Sequence, residues 1–156
     1  MPGVVGVEHF STTVPDIVEA VAFFTDVFGA REINRTRFSP EAGSTVMVDR
    51  FNAHADASAE LASLDIGGTV VELFEYEAPD LPTGMPRNCD PGGHHLGFRV
   101  EDVALAADYL RQVPGVTVLG EPTFEDREGE RRGWLYFLSP WGMHLEIASQ
   151  TPLGED

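Results

Sequence analysis

Residues 95–116, HLGFRVEDVALAADYLRQVPGV, repeat the pattern of residues 9–30, HFSTTVPDIVEAVAFFTDVFGA, at a constant offset of 86. The register pairs His9 with His95, Val14 with Val100, Asp16 with Asp102, Ala20 with Ala106, Phe23 with Tyr109 and Gly29 with Gly115. Shared polar and glycine positions are harder to obtain by chance than shared apolar ones, so the match reads as a duplicated unit.

Each copy has the same physical pattern. About six alternating residues lead to Asp16 or Asp102, each a natural N-cap, because an Asp carboxylate accepts the free N–H groups of a first helical turn. Ile17, Val21, Phe24 and Phe28 then recur at helical spacing, as do Val103, Ala106, Ala107 and Leu110. Gly29 and Gly115 stand where a left-handed helix C-cap is expected. Strand character returns in AREINRTR and GVTVLGEP. The tails of the copies also correspond, at an offset of 74: GGTVVELFEYE against PWGMHLEIASQ aligns Gly68 with Gly142, Glu72 with Glu146 and Leu73 with Ile147. ELASLDI and RGWLYFLS supply the preceding strands. Between the copies, YEAPDLPTGMPRNCDPGG has the Pro, Gly and Asp content of a connector. The segment RFSPEAGSTVMVDRFNAHADAS has no counterpart of equal length in the second copy. It mixes strand-like STVMV with small polar residues that suit a long loop or short helix, and such insertions often sit over binding sites.

Composition narrows the function. The chain has 156 residues, a formal net charge of −16, and 26 acidic against 10 basic residues, all of them arginine. That charge repels phosphate backbones and anionic lipid surfaces, so neither nucleic acid nor membrane is expected as a partner. A single cysteine, Cys89, permits no intramolecular disulfide and no CxxC metal site. With no long apolar run and no basic leader in MPGVVGVEHF, a soluble cytoplasmic protein is expected. Arg31, Arg35 and Arg37 cluster, as do Arg127, Arg131 and Arg132; such clusters can grip an anion, but solvated surface charge is the commoner reason for them.

Strand alternation sorts the remaining polar residues. Phe10, Thr12 and Val14, or Leu96, Phe98 and Val100, face the helix; His9, Ser11 and Thr13, or His95, Gly97 and Arg99, face the opposite way. In the tail strands Val71 and Leu73, or Leu145 and Ile147, match the helix side, which leaves Glu72 and Glu146 on the other face. One histidine and one glutamate per copy therefore share an inner face. His94, adjacent to His95, points elsewhere and is given a structural role. A lone strand histidine is more often a hydrogen-bonded surface residue than a ligand. Two His and two Glu at corresponding positions instead suit a divalent cation, because imidazole and carboxylate together bind Zn, Ni, Fe, Mn or Co.

The His9 and His95 strands, the VELFEY and HLEIAS segments and the two-copy organisation resemble the vicinal oxygen chelate superfamily over about residues 4–149. That superfamily includes glyoxalase I, methylmalonyl-CoA epimerase, extradiol dioxygenases and bleomycin-resistance proteins. The resemblance implies an α+β fold: two tandem βαβββ modules, 4–77 and 93–149, joined by the connector 78–92 within one domain, 1–156, and forming a U-shaped, mostly antiparallel sheet cleft. It implies metal ligation by His9, Glu72, His95 and Glu146, and a homodimer. A metal-dependent lyase, isomerase or epimerase is the expected activity, with proton transfer next to a metal-chelated carbonyl. Glu72 or Glu146 would act as acid or base, and His144, on the face of Glu146, as partner or proton shuttle. The glutamate-rich segment that epimerases of the family carry in their first module is not recognisable in FSPEAGSTVMVDR, where Glu41 and Asp49 are loose substitutes. A coenzyme A ester would need Arg87, Arg99 and Arg127 to converge. Phe38, Phe51, Phe74, Tyr76, Trp134 and Trp141 could instead line a cleft for a small molecule, aromatic or dicarbonyl. The alternatives are an Fe(II) extradiol dioxygenase, in which two His and one Glu bind the metal, and a protein that sequesters an antibiotic; the full set of four ligands weighs against sequestration.

Overall fold

The computed structural model describes residues 3–153, so the two ends of the expected domain 1–156 lie outside it. The chain divides into two compact units, Met1–Thr83 and Gly84–Asp156. The later part of the connector, including Asn88 and Asp90, thus belongs to the second unit.

The first unit runs β1 (His9–Thr13), α1 (Ile17–Phe28), β2 (Arg31–Phe38), α2 (Val46–Phe51), β3 (Ser58–Ile66) and β4 (Thr69–Glu77). The second runs β5 (Leu96–Arg99), α3 (Val103–Leu110), β6 (Thr117–Arg127), β7 (Glu130–Leu138) and β8 (His144–Pro152). The sheet orders, β1-β4-β3-β2 and β5-β8-β7-β6, are the same in the two copies, with each strand in the equivalent place. In each, the first strand pairs parallel with the last and the remaining pairs are antiparallel. Each unit is therefore a βαβββ module, the first carrying an extra helix, and the fold is α+β.

Both expected N-caps form. Asp16 accepts from the Glu19 backbone N–H at 2.8 Å, and Asp102 from those of Ala104 and Leu105 at 2.8 and 3.1 Å. Glu75 adds a second bond at the start of α1, accepting from the Ile17 N–H at 2.8 Å. Ile17, Ala20 and Phe24 are buried, as are Ala62, Leu64, Val71 and Leu73 of the strands beneath α1. In the second unit Val103, Ala107 and Leu110 are buried, together with Leu135, Phe137, Leu145 and Ile147. Each such side chain contributes about 1.5–3 kcal/mol on burial, and these layers hold the modules together.

Two local expectations are corrected. Gly29 is the left-handed C-cap of α1 (φ 67°), but Gly115 does not cap α3, which ends at Leu110 with Arg111 as its cap. Pro114 explains the shortening, since the residue before a proline is driven out of helical geometry. Gly115 still needs to be glycine: its φ is 81°, and a Cβ there would lie 3.0 Å from Pro140. The strand-like STVMV does not form a strand; the short helix that the segment also suggested forms instead, as α2 (Val46–Phe51), whose Met47 is fully buried against Ala57 and Ala59. No helix among the described residues is long and apolar enough to cross a membrane.

Candidate functional site

The face of each sheet opposite its long helix carries the expected pair. On β4, Val71 and Leu73 are buried under α1, which turns Glu72 to the other side; on β8, Leu145 and Ile147 do the same for Glu146. Ser11 is the register partner of Glu72, and Gly97 that of Glu146. Each histidine stands two residues before that partner, so it meets the carboxylate diagonally. His9 Nε2 lies 3.4 Å from Glu72 Oε2, and His95 Nε2 lies 3.1 Å from Glu146 Oε2. The carboxylates are the more sheltered members, with side chains 22% and 18% exposed against 41% and 34% for the histidines.

The opposite ring nitrogen is anchored in both units. His9 Nδ1 contacts a Glu8 carboxylate oxygen, and His95 Nδ1 lies 3.2 Å from Asn88 Oδ1. A proton on Nδ1, donated to that oxygen, leaves the Nε2 lone pair facing the glutamate, which is how second partners prepare an imidazole to ligate. The donor set fits a cation. Bonds of about 2.0–2.2 Å to N and O separate adjacent ligands by about 3.0 Å at a right angle and about 3.4 Å at the tetrahedral angle. The two N···O distances, 3.4 and 3.1 Å, fall near those edges. The Glu8 carboxylate and then that of Glu72 raise the His9 pKa above the ordinary histidine value. Among the described residues, no three or more His, Cys, Asp or Glu side chains gather to hold a metal. Each unit presents a two-donor half-site.

The half-sites differ in their surroundings. Glu72 is flanked by Ser11 and by Ser63, whose hydroxyl donates to it at 3.4 Å. Glu146 is flanked by Gly97 and Tyr136. His144 packs on Tyr136 (ring centroids 5.0 Å apart) and meets His95 edge-on at 5.5 Å. Its Nδ1 is buried without a hydrogen-bond partner among the described residues. Burial first, then the neighbouring His95, lowers its pKa, so the ring is neutral at physiological pH. Its first-unit counterpart is Val70, so His144 has no duplicate. His94 faces the Gly92 carbonyl at 3.1 Å, in keeping with a structural role.

Other candidates are engaged elsewhere. Asp49 accepts from the Thr45 hydroxyl at 2.6 Å at the start of α2, and Glu41 accepts the Ser44 N–H through its backbone carbonyl in the preceding turn. Arg87 is paired with Asp90 and Arg127 with Glu128. Phe38, Phe51, Phe74 and Tyr76 pack on one another, Phe74 and Tyr76 stacked at 5.6 Å, around Met47. They form a small core that seats α2 on the inner face of the first sheet. Trp134 does line an open cavity, beside Glu146. Sequence reading missed Glu8 and Asn88. Glu8 could have been suspected as the neighbour of His9; Asn88 is brought seven residues back to His95 by a turn in which Asp90 accepts from the Arg87 N–H at 2.9 Å.

Residues 6–147 match the family model described as the Glyoxalase/Bleomycin resistance protein/Dioxygenase superfamily. A 2-epi-5-epi-valiolone epimerase from Actinomyces sp. is 48% identical over 149 residues, covering 94% of this chain and 80% of that protein. An ethylmalonyl-CoA/methylmalonyl-CoA epimerase from Cereibacter sphaeroides is 27% identical over 134 residues, covering 85% and 86%. Among solved structures, a glyoxalase family protein from Bacillus cereus aligns with a TM-score of 0.74 at 18% identity, covering 97% and 99% of the two chains. The fosfomycin resistance protein FosX from Listeria monocytogenes, complexed with Mn(II) and sulfate, aligns at 0.58 and 16% identity, covering 94% and 93%.

Proposed function

Because this chain belongs to the glyoxalase, bleomycin resistance protein and dioxygenase superfamily, we propose that it is a metal-dependent epimerase. His9 with Glu72, and His95 with Glu146, would be the metal ligands. The observation that carries the reading is the equivalence of the two half-sites: the same diagonal His–Glu placement, with Nδ1 anchored by a side-chain oxygen in each. The 48% identity to an epimerase, and the second epimerase among the relatives, support the reaction type.

When bound, the cation would withdraw electron density from a carbonyl oxygen and make the neighbouring C–H more acidic. The chain's own groups move the proton. A glutamate carboxylate takes it from the carbon beside the carbonyl, the C–H electron pair forming the new C=C bond while the carbonyl oxygen gains charge. Inversion requires a proton to return from the other face, so two carriers are needed. Glu72, Glu146 and the neutral imidazole of His144 are the candidate carriers. His144 is suited to the exchange because its Nδ1 lacks a hydrogen-bond partner among the described residues and burial favours its uncharged form.

The substrate we assign is 2-epi-5-epi-valiolone or a related ketone, on the identity to the protein named for it. Incubation with this ketone in D2O tests the reading: deuterium at the inverted carbon, dependent on added divalent metal and lost in Glu72→Gln, is expected. Oxygen uptake with a catechol and no epimerisation would favour the dioxygenase reading. The same reading takes the active form to be a homodimer, which sizing in solution checks.

A further inference from the structure

The chain has ten cationic side chains against 26 acids, and seven of the ten are in ion pairs among the described residues. Of the other three, Arg50 lies in α2, while Arg99 and Arg132 both line one cavity of about 370 Å³ on the inner face of the second sheet, with Glu146 in the same wall. In so acidic a protein, two arginines with no carboxylate partner among the described residues stand out at one cavity. Arg132 belongs to a sequence cluster whose other members, Arg127 and Arg131, are neutralised by Glu128 and Asp126.

Register explains both the hollow and the placement. Across the sheet, Gly97, Glu146 and Tyr136 form one row; Arg99, Ala148 and Trp134 form the next; Gln150 and Arg132 follow. Gly97 and Ala148 provide a low floor and Trp134 a flat wall. In the first sheet the position equivalent to Ala148 is Phe74, which is packed against Phe51 of α2, so no such hollow forms beside it. Successive rows are about 6.8 Å apart along a strand. A group held by the arginines would thus sit about one row beyond the Glu146 carboxylate, roughly the span of a six-membered ring and one substituent.

We infer that the Arg99 and Arg132 side chains bind an anionic substituent, phosphate or carboxylate, of a ring-sized substrate whose reacting end lies at Glu146. Guanidinium forks match both anions, and Trp134 would stack on the face of the ring. Gln150 is occupied, its amide donating to Glu130, so the arginines carry the recognition. This rests on the epimerase reading and goes beyond 2-epi-5-epi-valiolone, which is uncharged, to a related ketone that carries an anion; its test does not need turnover.

Backbone and indole NMR shifts are followed while the wild-type protein is titrated with glucose 6-phosphate, glucuronate and glucose. Saturable shifts at Gly97, Arg99, Arg132 and the Trp134 indole with either charged ring, and none with glucose at the same concentration, are expected. Arg99→Gln and Arg132→Gln should each weaken that binding by about tenfold or more, while Arg50→Gln leaves it unchanged. Equal binding of glucose, or affinity for the charged rings unaltered in both cavity variants, would overturn the inference. Failure of deuterium incorporation into the ketone, by contrast, would strike the epimerase reading and leave the anion site standing.

Discussion

Phe74 and Ala148 occupy equivalent places in the two sheets, one row beyond the glutamate, and they turn a repeated scaffold to different ends. Around Phe74 the inner face is filled: Phe51, Phe38 and Tyr76 pack with it and α2 closes over Met47. Around Ala148 it is open, edged by Trp134, Arg99 and Arg132. The His–Glu pairs themselves stay alike, while the neighbouring row differs between the copies. The first unit braces its pair with small hydroxyls and an extra helix; the second surrounds its pair with groups that can recognise and exchange.

The largest expected effect comes from breaking the likeness. Glu72→Gln and Glu146→Gln should each lower kcat/KM by about 10³-fold or more, since each removes a donor and a proton carrier together. His144→Phe should sharpen the difference: with no duplicate in the first unit, its loss should lower kcat by about 10–100-fold while bound metal, measured by emission spectrometry, is unchanged. Asn88→Ala and Glu8→Gln should each weaken metal affinity by about 10–100-fold, through the Nδ1 anchors, and leave the fold intact by circular dichroism. Phe51→Ala should lower stability by about 2–4 kcal/mol in urea unfolding, loosening α2 without touching the second unit's pair.

The smallest effect concerns the turn that delivers Asn88. The Arg87 guanidinium, donating to Asp90 at 2.7 Å, holds the Asp90 pKa below the ordinary carboxylate value. A depressed folded pKa contributes order above the unfolded value that is lost as pH falls through the folded one. The His95 ring resonances should therefore shift as acid breaks the turn in the wild type. Asp90→Asn should already show the shifted resonances at neutral pH.

Much of this was legible in the sequence because it depends on local periodicity. The 86-residue offset, the Asp16 and Asp102 caps, and the alternation that sends Glu72 and Glu146 away from the helix all follow from residue spacing alone. What escaped depends on contacts between segments. The pattern VMVDRF is too short, and too rich in valine, to separate helix from strand until Met47 finds Ala57 and Ala59. Asn88 reads as one more polar connector residue until the turn folds it onto His95. Arg132 reads as part of a solvated cluster until pairing leaves it beside Trp134. Gly115 departs from the expected cap because Pro114 acts on α3 before the glycine can cap it.

The central claim is that the repeated His–Glu pairs are metal ligands. Metal content per chain, measured on protein purified without added metal and then loaded with Mn(II), tests it in wild type, His9→Ala and His95→Ala. Bound metal in the wild type, and a large loss from each variant, is the predicted result. Metal content unchanged in both variants would contradict it.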